Sequence, residues 1–186
     1  MRRIQRNKKA LSTVVTTLII LVVSVLLAGV VTLYATNITA TRTQQEQLKL
    51  TKQRVWVNAT GSSWAGISID NVGGKDVAIT KIQIRGVEAS WSNVRILRLS
   101  TSVTTSLICP TGATTWSDFL YTTGTNGTFS TPTTSPPLKS GDTMVVYVIG
   151  PDSINLSDVG IAVGITVFTE QTQYYVEANA ETSVSA

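Results

Sequence analysis

The feature that most constrains this chain is an uncharged apolar run near its N-terminus. From Val14 to Ala35, 22 residues include no charged residue, Pro, Asn or Gln. A helix of this length is sufficient to cross the roughly 30 Å hydrocarbon core of a bilayer. Five of the fifteen basic residues precede the run, within the first nine positions. Because basic flanks stay on the cytoplasmic side, we expect a cytoplasmic N-terminus and an external C-terminal region.

A cleavable secretory signal peptide is a poor match for this run. Such a signal has an apolar region of only about 7–15 residues, which ends in a small-x-small cleavage site. Here the run is longer, and leucine occupies the first small position in both Leu26–Ala28 and Leu33–Ala35. We therefore expect the apolar helix to be retained.

The overall positive charge belongs to the first nine residues and not to the rest of the chain. Beyond Lys9 there are ten basic and eleven acidic residues, so the net charge of that part is −1. A nucleic-acid-binding domain would carry a basic patch of its own. The sequence thus predicts no nucleic-acid partner.

The junction before the apolar run has the form NKKALSTVV, with two lysines, a small residue and a hydrophobic residue. It resembles the class III signal peptide of type IV pilin-like proteins, and the Lys-Ala-Leu-Ser form is most similar to archaeal pilins. The resemblance implies that a prepilin peptidase cuts between Lys9 and Ala10, removing residues 1–9 as a basic leader. Bacterial pilins usually carry Glu at the fifth mature position. That position is Val14 here, which favours the archaeal branch.

The retained helix is expected to continue beyond the membrane as a stalk, so that residues 10–54 form one segment. The sequence after Ala35 has no Pro or Gly before Arg54 and contains good helix formers. Small residues recur at helical spacing and would allow neighbouring helices to approach closely. These predicted packing residues are Ser24, Ala28, Gly29 and Thr32. The alternative is a lone lipid-facing anchor that happens to contain small residues.

From Val55 onward the sequence predicts strands. Runs rich in Val, Ile, Thr and aromatic residues are separated by turn sequences, and Ile161–Val167 alternates in a way that predicts one buried face. This spacing predicts an antiparallel β-sandwich over residues 55–186, of which the immunoglobulin-like arrangement is one form. Thr101–Leu138 is rich in Thr, Ser, Gly and Pro, and is expected to form an extended insertion or irregular hairpins. The predicted fold class is therefore α+β.

The chain offers little for catalysis. It has no histidine and one cysteine, which excludes a Ser-His-Asp triad, a Cys-His pair and imidazole metal ligands. We expect no catalytic residue, no metal site and no cofactor, and hence no enzyme. Cys109 is interpreted as a small buried residue, with an intersubunit disulfide as the alternative. The tryptophans are expected to pack in a core or interface rather than to form a sugar-binding platform: Trp56, Trp64, Trp91 and Trp116.

Four Asn-x-Ser/Thr sequons, none of them containing Pro, are candidate N-glycosylation sites if the C-terminal region is external. They lie at Asn37, Asn58, Asn126 and Asn155. Asn126 is expected to be the most exposed, whereas a glycan on Asn37 would collide with packing around the helix. The alternative for each is an ordinary turn or surface asparagine.

Taken with the resemblance, these features predict a structural subunit of an archaeal type IV pilus-like filament that serves in adhesion. Its partners would be the prepilin peptidase, the membrane before assembly, and copies of itself or related pilins afterwards. The precursor would sit in the cell membrane, and the mature chain in an extracellular filament. The alternative is a membrane-anchored external β-domain that binds a surface-layer partner or ligand and never polymerises.

Overall fold

The computed structural model describes residues 8–111 and 115–183. The described chain forms two compact units, a helix that ends at Thr43 and a β-domain that begins at Gln44. Residues 1–7 of the predicted leader lie outside the described residues. One long helix followed by a large, mostly antiparallel, curled sheet confirms the predicted α+β class with a sandwich-like domain.

Helix α1 spans Lys8–Thr43, and the predicted continuation of the helix to Arg54 is wrong. Strand β1 begins at Leu48 instead and pairs with the strand that follows it. In this segment Leu48 is buried, Lys49 is exposed and Leu50 is half-buried, which is the period-two pattern of a strand. Helix propensity is a weak preference, and sheet pairing overrides it here.

Eleven strands lie in the described part of the β-domain. They are β1 (Leu48–Val57), β2 (Ser63–Asn71), β3 (Val77–Ile84), β4 (Val87–Glu88), β5 (Val94–Leu99), β6 (Phe119–Thr122), β7 (Thr125–Gly127), β8 (Pro137–Leu138), β9 (Thr143–Ile149), β10 (Ala162–Thr169) and β11 (Gln173–Thr182). Short 3₁₀ helices at Trp91–Asn93 and Leu156–Asp158 precede β5 and β10.

Nine strands form one continuous sheet in the order β4-β3-β10-β11-β1-β2-β9-β5, with β8 paired to β3. All pairs are antiparallel except β1 with β11, which are parallel, with Val55 opposite Ala180. A bulge between Thr51 and Arg54 interrupts β1, and Lys52 there has a positive φ of 55°. Before the bulge β1 pairs with β2 alone, and beyond it β1 pairs with both β2 and β11.

The main core lies between two halves of this sheet. Ile69 and Val146, from the half that contains β2 and β9, belong to the same buried cluster as Ile82 and Ile165 from β3 and β10. In β10 the predicted alternation is confirmed from Val163 onward, with every second side chain buried. Ile161 precedes the strand and is 47% exposed, so it does not belong to this buried face.

A second, aromatic cluster covers the other face of the β1-β2-β9 part of the sheet. The segment after β5, which includes the β6–β7 hairpin, contributes Phe119, Tyr121 and Phe129, and these pack around Tyr147 of β9. The Tyr147 hydroxyl donates hydrogen bonds to the carbonyls of Ile108 (2.9 Å) and Tyr121 (3.3 Å). The insertion is therefore a packed cover, and β9 is buried on both faces.

The residues between α1 and β1 are fixed to the β2–β3 turn. The backbone N–H groups of Val72 and Gly73 both donate to the carbonyl of Gln47 at 3.0 Å, and Gly74 donates to Gln45 at 3.2 Å. A Cβ on Gly73 would lie 2.6 Å from backbone atoms of both glutamines. Only glycine therefore fits this contact, and the β-domain is ordered from its first residues.

Candidate functional site

The surface of helix α1 is apolar and exposed over most of its length. Every residue from Leu11 to Thr41 is exposed. By length and composition this segment could cross a membrane, and it is the only described helix of which that is true. Leucine, isoleucine and valine side chains occur all around the helix, so no face is reserved for water. Such a surface requires a lipid or protein environment.

Seven serine and threonine hydroxyls of α1 donate hydrogen bonds to carbonyl groups of the helix itself. The hydroxyl of Ser24 donates to the carbonyl of Ile20, and Thr32 donates to Gly29 at 2.9 Å. Thr36 donates to the carbonyl of Thr32 at 3.0 Å. Hydroxyl groups bonded in this way do not need water. The helix can therefore enter an apolar environment with little cost from its polar groups.

The predicted packing residues lie close together on α1. Ser24, Ala28 and Thr32 are spaced by four residues and share one side of the helix, with Gly29 beside them. A Cβ on Gly29 would meet no other atom within 4 Å, so the space next to it is open. A neighbouring helix could occupy that space, and this contact stays a prediction.

The predicted processing site lies in the first turn of α1, which begins at Lys8. Cleavage between Lys9 and Ala10 would leave nearly the whole helix on the mature chain. This cleavage stays a prediction.

The four sequons differ in environment. Asn126 on β7 and Asn155 before the second 3₁₀ helix are exposed. The Asn126 side-chain amide donates to Asp118 at 2.9 Å. Asn58 is half-buried in the β1–β2 turn, where its side-chain oxygen accepts hydrogen bonds from the backbone of Thr60. Asn37 lies on the apolar helix, as expected. Glycosylation of all four stays a prediction.

Cys109 is half-buried against the aromatic cluster. Its Sγ lies 2.9 Å from the Thr111 hydroxyl. Burial raises the pKa of the thiol above its ordinary value, which opposes formation of the thiolate. Since the thiolate is the reactive form, this environment is that of a packing cysteine.

The four tryptophans pack against the two clusters. Trp56 is buried and stacks with Tyr147 at a centroid distance of 6.2 Å. Trp64 and Trp116 contact the aromatic cluster and Trp91 contacts the main core, each with part of its ring exposed.

The two acidic residues that are buried in the described segments, Asp70 and Asp158, both have structural partners. Asp70 accepts a hydrogen bond from Thr143 at 2.7 Å, and Asp158 pairs with Arg85 at 2.9 Å. Across residues 8–111 and 115–183, no three His, Cys, Asp or Glu side chains group closely enough to hold a metal ion.

The β-domain has a surface groove that the sequence does not reveal. It has a volume of about 450 Å³ and lies between the β1–β2 turn and the loop after β9. Trp64 lines it together with Ser62, Asp152 and Asn155. These residues come from loops far apart in the sequence, so no local pattern reveals the groove. The one available signal is Trp64 itself, at the start of β2, whose ring is only partly covered by the aromatic cluster.

Comparison with known proteins gives no family. No family model matches the chain, and no curated protein matches it. The copper-bound PCuAC domain from PmoF2 is similar at 10% identity and a TM-score of 0.33, over 75% of this chain and 99% of that chain. A family 123 glycoside hydrolase from Clostridium perfringens is similar at 10% identity and a TM-score of 0.31, over 68% of this chain and 22% of the hydrolase. A β-glucosidase from Listeria innocua is similar at 11% identity and a TM-score of 0.26, over 76% of this chain and 16% of the glucosidase. Likeness at these scores carries no argument about what this chain does.

Proposed function

We propose that this chain is a structural subunit of a pilus-like surface filament that serves in adhesion. The subunit is made as a membrane precursor, loses its basic leader, and assembles with copies of itself or related subunits through α1. The β-domain is then displayed on the outside of the filament. The observation that carries the proposal is the exposed helix surface from Leu11 to Thr41, which is apolar on all sides.

Two features of α1 favour assembly over a lone membrane anchor. They are its small residues and the Lys9-Ala10 junction. Ser24, Ala28, Gly29 and Thr32 would let a second helix approach closely. The Lys9-Ala10 junction resembles a site that releases a helix from its leader while keeping it on the mature chain. A permanent anchor has no need of such processing.

Cleavage of the leader is the first test. The mature chain should begin at Ala10, and replacing Lys9 with Gln should leave an unprocessed precursor in the membrane. Mass spectrometry of the mature N-terminus measures this directly. A chain that keeps Met1, or one that begins near Thr36, would contradict the proposal.

Assembly is tested by Val22→Asp in the middle of α1, with Val22→Ala as the matched control. An unpaired carboxylate costs several kcal/mol in a dry helix core. On the membrane-insertion scale it costs about 2.5–3.5 kcal/mol, which so apolar a helix can absorb. The Asp variant should therefore still be inserted and processed but give no sheared filaments, whereas the Ala variant assembles.

Electron microscopy of the sheared surface fraction, with antibody labelling of this chain, measures the outcome. If wild-type cells that express the chain form no filament containing it, the assembly proposal fails. The membrane-anchored binding domain then becomes the better account.

A further inference from the structure

The groove beside Trp64 has walls that the fold holds in place. On one side, the Asn58 side-chain oxygen accepts a hydrogen bond from the Ser62 backbone at 2.9 Å. At its base, the backbone N–H of Gly150 donates to the Ser63 carbonyl at 2.8 Å and so joins the β1–β2 turn to the end of β9. These two hydrogen bonds fix the β1–β2 turn and join it to the end of β9.

The opposite wall is fixed by a charged pair. The backbone N–H of Asn155 donates to the Asp158 carboxylate at 2.8 Å, and Arg85 bonds the same carboxylate and the carbonyl of Ser153. This network holds the backbone of Asn155 at the edge of the groove.

The groove lining has the chemistry of a sugar site. Trp64 lines the groove and keeps part of its indole exposed beyond its contacts with the aromatic cluster, and a pyranose ring can pack its C–H face against such an aromatic surface. Ser62 supplies a hydroxyl, and the exposed carboxylate of Asp152 has no hydrogen-bond or ion-pair partner within the described residues. The volume of about 450 Å³ lies in the range of roughly 300–1,000 Å³ typical of small-ligand sites.

We propose that this groove holds the first sugar of a glycan attached to Asn155. The occupant follows from position, because an exposed sequon asparagine lines the same groove as the indole. In the attachment step the Asn155 amide nitrogen bonds to the anomeric carbon of a phosphate-linked glycan donor. The bond from that carbon to the phosphate oxygen breaks, the phosphate leaves with the electron pair, and the amide loses a proton. The proposal rests on the external location given under Proposed function, but not on filament assembly.

The matched control site is Asn126, an exposed sequon on β7 that does not line the groove. Glycopeptide mass spectrometry of the full chain from its source cells should find a glycan on Asn155. A glycan on Asn126 but none on Asn155 would overturn this inference and leave the external location intact. Absence of glycans from both would overturn the inference and count against the location as well.

A stability cycle then tests the contact itself, using the full chain in a phosphocholine detergent that carries no sugar. Chains from source cells and from a host without N-glycosylation are compared by thermal unfolding. The glycan on Asn155 should raise the Tm by about 2–4 °C, and Asn155→Gln should remove this gain. Asn126→Gln should leave it unchanged.

Trp64→Ala and Asp152→Ala locate the contact. Each should abolish the glycan-dependent gain in Tm, and the same variants in unglycosylated chain subtract any effect on folding alone. Asp152→Ala is the cleaner variant, because this carboxylate has no partner in the described residues. A glycan on Asn155 whose stabilisation survives both substitutions would overturn the proposal.

Discussion

Adding one methyl group at Gly73 should destabilise the β-domain. Its Cβ would lie 2.6 Å from the carbonyl oxygen of Gln45 and from the backbone nitrogen of Gln47, and backbone atoms cannot rotate away. We expect Gly73→Ala to reduce the free energy of unfolding of the β-domain by about 1–3 kcal/mol in urea. Gly29→Ala is the control, since a Cβ there meets nothing within 4 Å. Equal urea midpoints for the two variants would contradict the steric argument.

Asp158 should make the β-domain sensitive to acid. The backbone N–H of Asn155 and then the guanidinium of Arg85 lower the pKa of this carboxyl below its ordinary value of 3.8. A pKa lower in the folded than in the unfolded state gives stability that is present above about pH 4 and is lost as the pH falls through the folded-state pKa. Asp158→Asn should therefore destabilise the domain at pH 7 and have little further effect at pH 2.

Unfolding of unglycosylated chain in urea at both pH values measures this difference, with Asp152→Asn as the control carboxylate. The pH dependence of the Asp158 variant should be shallower than that of wild type. An unchanged acid limb would show that the pair with Arg85 contributes nothing to folding.

The thiol of Cys109 is expected to react slowly. Its pKa is raised by burial, so little thiolate is present at neutral pH. Alkylation by iodoacetamide at pH 7.5 should be slow in the native chain and become fast in denaturant. Because the chain has no other cysteine, mass spectrometry gives the rate without ambiguity. Rapid native alkylation would instead favour an intersubunit role for this residue.

Among the elements, the β6–β7 hairpin should owe its stability to aromatic contacts rather than to the pairing of its two strands. Phe129 lies within 6 Å, centroid to centroid, of the rings of Trp116, Phe119, Tyr121 and Tyr147. Phe129→Ala should destabilise the domain by about 3–5 kcal/mol and expose the segment after β5 to proteolysis. Leu120→Ala, at an exposed position, is the control. If both variants resist proteolysis equally, the segment after β5 is held in place by its loops and not by the contacts of Phe129.

The same elements show what could be predicted from the sequence. Strands such as β10 follow from strict alternation, because one face is buried in the main core. The start of β1 could not be predicted, since Leu48 and Leu50 fit a helix until the β2–β3 turn is placed against them. The aromatic cover could not be predicted either, because Trp116 and Phe129 have no period and depend on Tyr147 of a distant strand.

The α1 surface and the groove at Trp64 also differ in how far the sequence predicts them. The apolar surface of α1 was predictable because it follows from the composition of one continuous run of sequence. The groove at Trp64 was not, since Asp152 and Asn155 reach it only through the pairing of β2 with β9.

At the scale of the whole molecule, the boundary between the two units gives a direct test. A fragment of residues 44–186 should be soluble and monomeric, with a β-rich circular dichroism spectrum. A fragment of residues 55–186 lacks most of β1 and leaves an edge of β2 unpaired, so it should aggregate. Equal stability of the two fragments would show that the residues before Val55 do not belong to the domain.

Because β1 pairs with β11, which is distant in the sequence, the sheet can close only after β11 has been synthesised. Strand β11 lies between β10 and β1, so a nascent chain without it holds two half-sheets that no strand pairing joins. Strand β11 must therefore lie beside β1 before the sheet is continuous, and pairing between strands so far apart in the sequence is slow to form. A ribosome that stops anywhere before residue 173 leaves a chain whose sheet cannot close.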